Sequence, residues 1–126
     1  MPTKWILLFC LVCLVGCRQE AETDSGIVID WTISPDPPQT GPVTFEFTLT
    51  DEAGEPISAS NIRMEANMTH PGMQPVLASA IETSEGRYES EFEFTMPGDW
   101  YILIDGELPG GGRFQKQVNV AAVRSM

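Results

Sequence analysis

Little in this chain is suited to running a reaction. Its 126 residues include one histidine, three cysteines and two tyrosines, and no serine sits in a nucleophile-elbow pattern, so a Ser/His/Asp or Cys/His triad cannot be assembled. Cationic side chains are also scarce. Seven Lys and Arg stand against eighteen Asp and Glu, a formal net charge of −11, and such a surface repels phosphate backbones and anionic headgroups. Nucleic acid is therefore excluded as a partner. Helical periodicity is missing from the body of the chain. The glycine triplet 110–112 has no helix after it, so it reads as a loop rather than a phosphate cradle.

The first residues have a different character. Lys4 precedes the apolar run Trp5 to Val15, which has signal-peptide length and is too short to span a bilayer comfortably. The run closes in Leu14-Val15-Gly16-Cys17, which resembles the bacterial lipoprotein box. Residues 1–16 are thus expected to be a lipoprotein signal peptide, with Cys17 becoming the lipidated (palmitate-bearing) N-terminus of the mature protein. Cleavage there would remove Cys10 and Cys13 and leave no pair for a disulfide. Six basic residues would then face eighteen acidic ones, a net charge of −12. Residues 17–25, with Glu20, Glu22 and Asp24 and no apolar pattern, suit a flexible tether. The expected location is the cell envelope, facing the periplasm and attached through the lipid, on the outer membrane if the host is Gram-negative.

From Gly26 to Met126 the pattern has period two. Ile27, Ile29, Trp31 and Ile33 share one side of a first strand, and Val43, Phe45, Phe47 and Leu49 share one side of a second. The prolines of segment 35–42 predict a turn or an extended run between them. A third strand places Ile62, Met64, Ala66, Met68 and His70 on one face until Pro71-Gly72 stops it. A weak fourth runs from Pro75 to Thr83. In the fifth, Tyr88, Phe92, Phe94 and Met96 point inward while Glu89, Glu91 and Glu93 face water. Trp100, Ile102 and Ile104 mark a sixth, and Phe114, Val118 and Val120 a seventh, where Lys116 joins the inward set and so calls for a sheet edge. Seven short strands with turns about every ten residues predict an all-β, seven-stranded immunoglobulin-like β-sandwich.

Chemistry can concentrate in one place, the segment Met64 to Met73, which holds the histidine and three of the six methionines. Thioether sulfur and imidazole nitrogen suit Cu(I), and a thioether has no proton to compete with the metal. Met68 and His70 alternate on one face, His70 and Met73 lie three apart across a turn, and Met96 begins another Pro-Gly turn. If the third and fifth strands end at the same pole, these four residues converge. The competing reading makes the methionines core filling and the histidine an ordinary polar residue at a turn. Met64, further down its strand, is expected in the core on either reading.

The segments Asn67-Met68-Thr69-His70-Pro71-Gly72-Met73 and Met96-Pro97-Gly98-Asp99-Trp100, with a closing strand ending Gln117-Val118-Asn119-Val120, resemble the YtkA-like domains. These are small exported bacterial domains related to the FixH-like proteins and similar to the CopC-type copper carriers. The resemblance implies an immunoglobulin-like sandwich without catalysis, associated with copper handling or respiratory oxidase assembly, and its motif positions are Met68, His70, Met73 and Met96. A single histidine suits Cu(I) rather than Cu(II). The rival expectation is a metal-free interaction module of the envelope.

Overall fold

The strongest alternation in the sequence lies at the centre of the structure. A computed structural model describes residues 26–126; the expected signal peptide and tether, with Cys17, lie outside the described residues. Eight strands and no helix are found there: β1 (Val28–Ser34), β2 (Gly41–Thr50), β3 (Ser60–Met68), β4 (Val76–Ser79), β5 (Ile81–Ser84), β6 (Arg87–Phe94), β7 (Gly98–Glu107) and β8 (Arg113–Val123). They form two antiparallel four-stranded sheets, in the orders β1-β2-β6-β5 and β4-β3-β7-β8. β2 and β6 lie inside the first sheet, β3 and β7 inside the second. All four alternate buried with more exposed residues, as strands with one face on a core must.

Between the sheets lies an aromatic core. Phe47 stacks on Tyr88 at 5.0 Å between ring centroids, and Phe94 packs at 5.1 Å on Trp100 of the opposite sheet. Burying side chains of this size is worth about 1.5–3 kcal/mol each, so the Phe94–Trp100 contact helps to hold the two sheets together, while the Phe47–Tyr88 stack braces β2 against β6 within the first. Met64 is 2% exposed and lies in this core. Lys116 is half-buried in β8, an edge strand, which is the position that its place in the inward set requires.

The structure corrects the strand reading in four places. The single strand expected from Pro75 to Thr83 is two, which is why the total is eight. The chain leaves the second sheet after Ser79 and joins the first at Ile81. Ser90, a buried polar residue of β6, donates its hydroxyl proton to the Ser79 carbonyl at 2.8 Å, and the Ala80 N–H reaches Ile62 O at 3.2 Å. Backbone groups at the switch are therefore satisfied by the neighbouring sheet, and nothing in the local sequence announces it. Pro42 lies inside β2 rather than in the preceding loop. β1 pairs with β2 only as far as Thr44, so a residue without an N–H is tolerated at Pro42, beyond the end of that ladder. The third strand ends at Met68, which leaves His70 in the following loop. The strand read as the fifth, now β6, ends at Phe94, so Met96 is outside the strand and 43% exposed rather than inward.

Candidate metal site at one end of the sandwich

Four connections meet at the end of the sandwich where β3 finishes. They are the loop 35–40 between β1 and β2, the loop 69–75 between β3 and β4, the turn 95–97 between β6 and β7, and the chain after β8. The register explains this convergence. Met68 is paired with Trp100, and Trp100 with Val120, so the last residue of β3 lies beside the start of β7. One hydrogen bond carries the pairing past the strand end, from Thr69 N–H to Asp99 O at 3.2 Å, and His70 follows immediately.

The expected site residues fall into two groups. Met68 is 6% exposed and belongs to the core. A β-carbon placed on Gly98 would stand 3.1 Å from the Met68 methyl, which puts this thioether directly beneath the backbone that follows Met96. His70, Met73 and Met96 are exposed. Met96 is held by its main chain, since the Trp100 indole N–H donates to the Met96 carbonyl at 2.9 Å. β3 and β6 thus deliver Met68 and Met96 to the same end, and the β3–β4 loop carries His70 and Met73 there.

A β-bulge shapes the same end. Gly98 pairs with Val123 and Trp100 with Val120, so β8 has an extra residue opposite Asp99. Ala122 takes a positive φ of 55° there, a conformation uncommon for alanine. The Asp99 carboxylate accepts its N–H at 2.9 Å. Past the bulge the chain turns onto loop 35–40: Arg124 N–H donates to Pro38 O at 2.9 Å, and Thr40 N–H to Arg124 O at 2.7 Å. Met126 is carried along, its N–H donating to Thr40 Oγ1 at 3.1 Å. Nothing along the sequence connects Met126 with this end of the sandwich, since it is brought there only by the bulge and by loop 35–40.

The donor chemistry can be tested against these residues. Among the described residues no three His, Cys, Asp or Glu side chains are grouped as a metal set. A metal at this end would have to draw on thioethers, and thioethers with one imidazole fit a soft ion such as Cu(I) rather than a hard one. A solvent-open hollow elsewhere, over the outer face of the first sheet, is lined by Asp30, Thr32, Glu46, Thr48, Arg87 and Glu89 and includes none of the methionines.

Comparisons with known proteins agree with the fold. The family model described as YtkA-like matches residues 28–105, more than half of the chain. A crystal structure of a DUF4426 family protein from Pseudomonas aeruginosa superposes with a TM-score of 0.57 at 11% identity, covering 81% of this chain and 94% of that one. At that identity the likeness is one of fold alone. No curated protein matches the chain.

Proposed function

The chain belongs to the YtkA-like family, and from that premise we propose that it is a cell-envelope β-sandwich, immunoglobulin-like in type and lipid-anchored through Cys17, that binds copper and passes it on. His70, Met73 and Met96 are the outer ligands and Met68 the inner one. One observation carries the reading: the exposed methionines of the described region gather at the end of the sandwich that also holds its single histidine. Exposed apolar side chains clustered in one place mark a binding surface, and sulfur with imidazole selects a soft metal.

The chemistry is ligand exchange rather than turnover. Thioethers bind Cu(I) without a proton to lose, and an open rim lets an incoming donor on a partner protein displace them one at a time. Copper handling or the assembly of a respiratory oxidase would use such a carrier. Cu(I) titration of the processed chain against a chromogenic chelator tests it, with wild type beside His70→Ala. One equivalent bound by the wild type and lost with His70 is the expected result. Failure of the wild type to compete for Cu(I) refutes the reading.

A different observation favours a second reading. Leu77 on β4 and Ile81 on β5 are 75% and 67% exposed, on edge strands that follow one another along the same side of the sandwich. This edge would serve a metal-free interaction module. It predicts recovery of the same protein partner with and without copper, and loss of that partner in Leu77→Ser/Ile81→Ser.

A further inference from the structure

Met126 is the one methionine of this end that the motif segments do not contain, and it is 83% exposed. We propose that Met126 supplies a further thioether to the copper site, an inference that rests on the copper reading above. The backbone holds this residue at the Met–His end. Three hydrogen bonds tie segment 124–126 to residues 38–40: Arg124 N–H to Pro38 O, Thr40 N–H to Arg124 O and Met126 N–H to Thr40 Oγ1.

Contacts then lead from Met126 to the Met96 turn. A β-carbon on Gly41 would lie 3.5 Å from the Met126 methyl, so that methyl rests over a residue with no side chain to cover it. Gly41 is paired with Phe94, two residues before Met96. The Phe94 ring packs on Trp100, and the Trp100 indole holds the Met96 carbonyl. Met126 therefore stands on the same rim as Met96 by way of β2 and β6, while Met68 lies against Gly98, two residues after Met96.

Packing does not account for this position. Met64 and Met68 are buried and act as core residues, whereas Met126, Met96 and Met73 are exposed. A methionine ordered by its main chain with its side chain in water gains little for stability, but it is what a metal-exchange site requires. Because a thioether is neutral, its recruitment does not depend on pH in the physiological range. It also gives the site a donor more accessible than Met68.

The test uses the full chain as its host processes it, with methionine methyls labelled for NMR, titrated with Cu(I) under reducing conditions. We expect the Met126 methyl to move in step with those of Met73 and Met96 up to one equivalent, while that of Met64 stays in place. In the chelator competition, Met126→Leu should weaken Cu(I) binding at least about tenfold, the low end of what losing even an outer-shell partner costs a metal site. If copper binds and is lost with His70→Ala, yet Met126→Leu binds as tightly as wild type or its methyl moves only beyond the first equivalent, the Met126 inference is overturned and the copper reading stands. If the wild type binds no copper, both are overturned.

Discussion

The two ends of this sandwich are built on opposite principles. At the end away from the methionines, polar groups close on one another. The Asp51 carboxylate accepts the N–H groups of Ala53 and Glu55, each at 2.9 Å, and so caps the turn after β2. The Tyr88 hydroxyl donates to Ile57 O at 2.6 Å and accepts from Ala59 N–H at 2.7 Å, which pins the β2–β3 connection onto β6. Glu82 adds a carboxylate that accepts the Gly86 N–H at 3.1 Å. The Met–His end has its backbone bonded as well, but it leaves thioethers and an imidazole in water. One end spends its side chains on stability, and the other keeps them available.

The largest effect that would break this contrast is expected at Gly86. Its φ is +73°, and an added β-carbon would lie 2.6 Å from Pro56 Cβ and 3.2 Å from Leu49 O. Gly86→Ala should cost about 3 kcal/mol, combining overpacking with a left-handed backbone, and a denaturant midpoint will show it. Cu(I) affinity of the folded fraction should be unchanged, because the substitution sits at the other end.

Tyr88→Phe comes next. Phenylalanine keeps the stack on Phe47 but strips Ile57 O and Ala59 N–H of their partner, at a cost of about 1–3 kcal/mol. Urea unfolding with an unchanged m-value would confirm a local loss; a cost below about 0.5 kcal/mol, the level of an ordinary surface substitution, would show that the clamp is not a stabilising feature.

pH separates the ends further. The Ser58 hydroxyl, the Gly86 N–H and the Tyr88 hydroxyl together hold the Glu82 carboxyl below its ordinary 4.5, against a smaller opposing effect of burial. Its stabilisation is therefore fully present above about 4.5 and is lost as pH falls through the depressed folded value. Burial pushes the Tyr88 phenol above its ordinary 10.0, with the Glu82 charge adding to it. That contribution is present below 10 and is lost as pH rises through the folded value. Melting temperature should fall on the acid side less steeply in Glu82→Gln than in wild type; parallel profiles would remove Glu82 from the clamp.

The smallest stability effects belong to the exposed sulfurs. Met73→Leu and Met96→Leu should each change unfolding free energy by no more than about 0.5 kcal/mol, because both residues lie at the surface outside the core, the swap conserves volume, and the Met96 carbonyl keeps its bond to Trp100. The same variants should weaken Cu(I) binding. A variant that lowered stability by several times that amount would return its methionine to the core.

Much of the fold was legible because burial on one face writes itself into the sequence with period two. Phe45, Phe47 and Leu49 in β2, Ile102 and Ile104 in β7, and Met64 in β3 were all read as inward and are all buried. Lys116 carried its own warning of an edge strand. Where that signal ended, so did the reading. Nothing at Ala80 marks a change of sheet, because the partners that satisfy its neighbourhood, Ser90 and Ile62, are distant in sequence. Met96 continued an alternation that its strand does not, and His70 did the same beyond the end of β3.

By itself the sequence determined that this is an all-β chain with a strongly acidic surface, no triad, and its soft donors concentrated near one histidine. Only the tertiary structure decided which methionines are core and which are surface. Met68 and Met96 have the same chemistry, and their exposure differs because Met68 closes β3 beneath Gly98 while Met96 lies in the turn that follows β6. Met126 reaches the same rim only because the bulge at Ala122 redirects β8 onto residues 38–40. Strand ends and register are set by pairing between segments far apart in the chain, so the composition of a site can be read along the sequence while its assembly is decided across it.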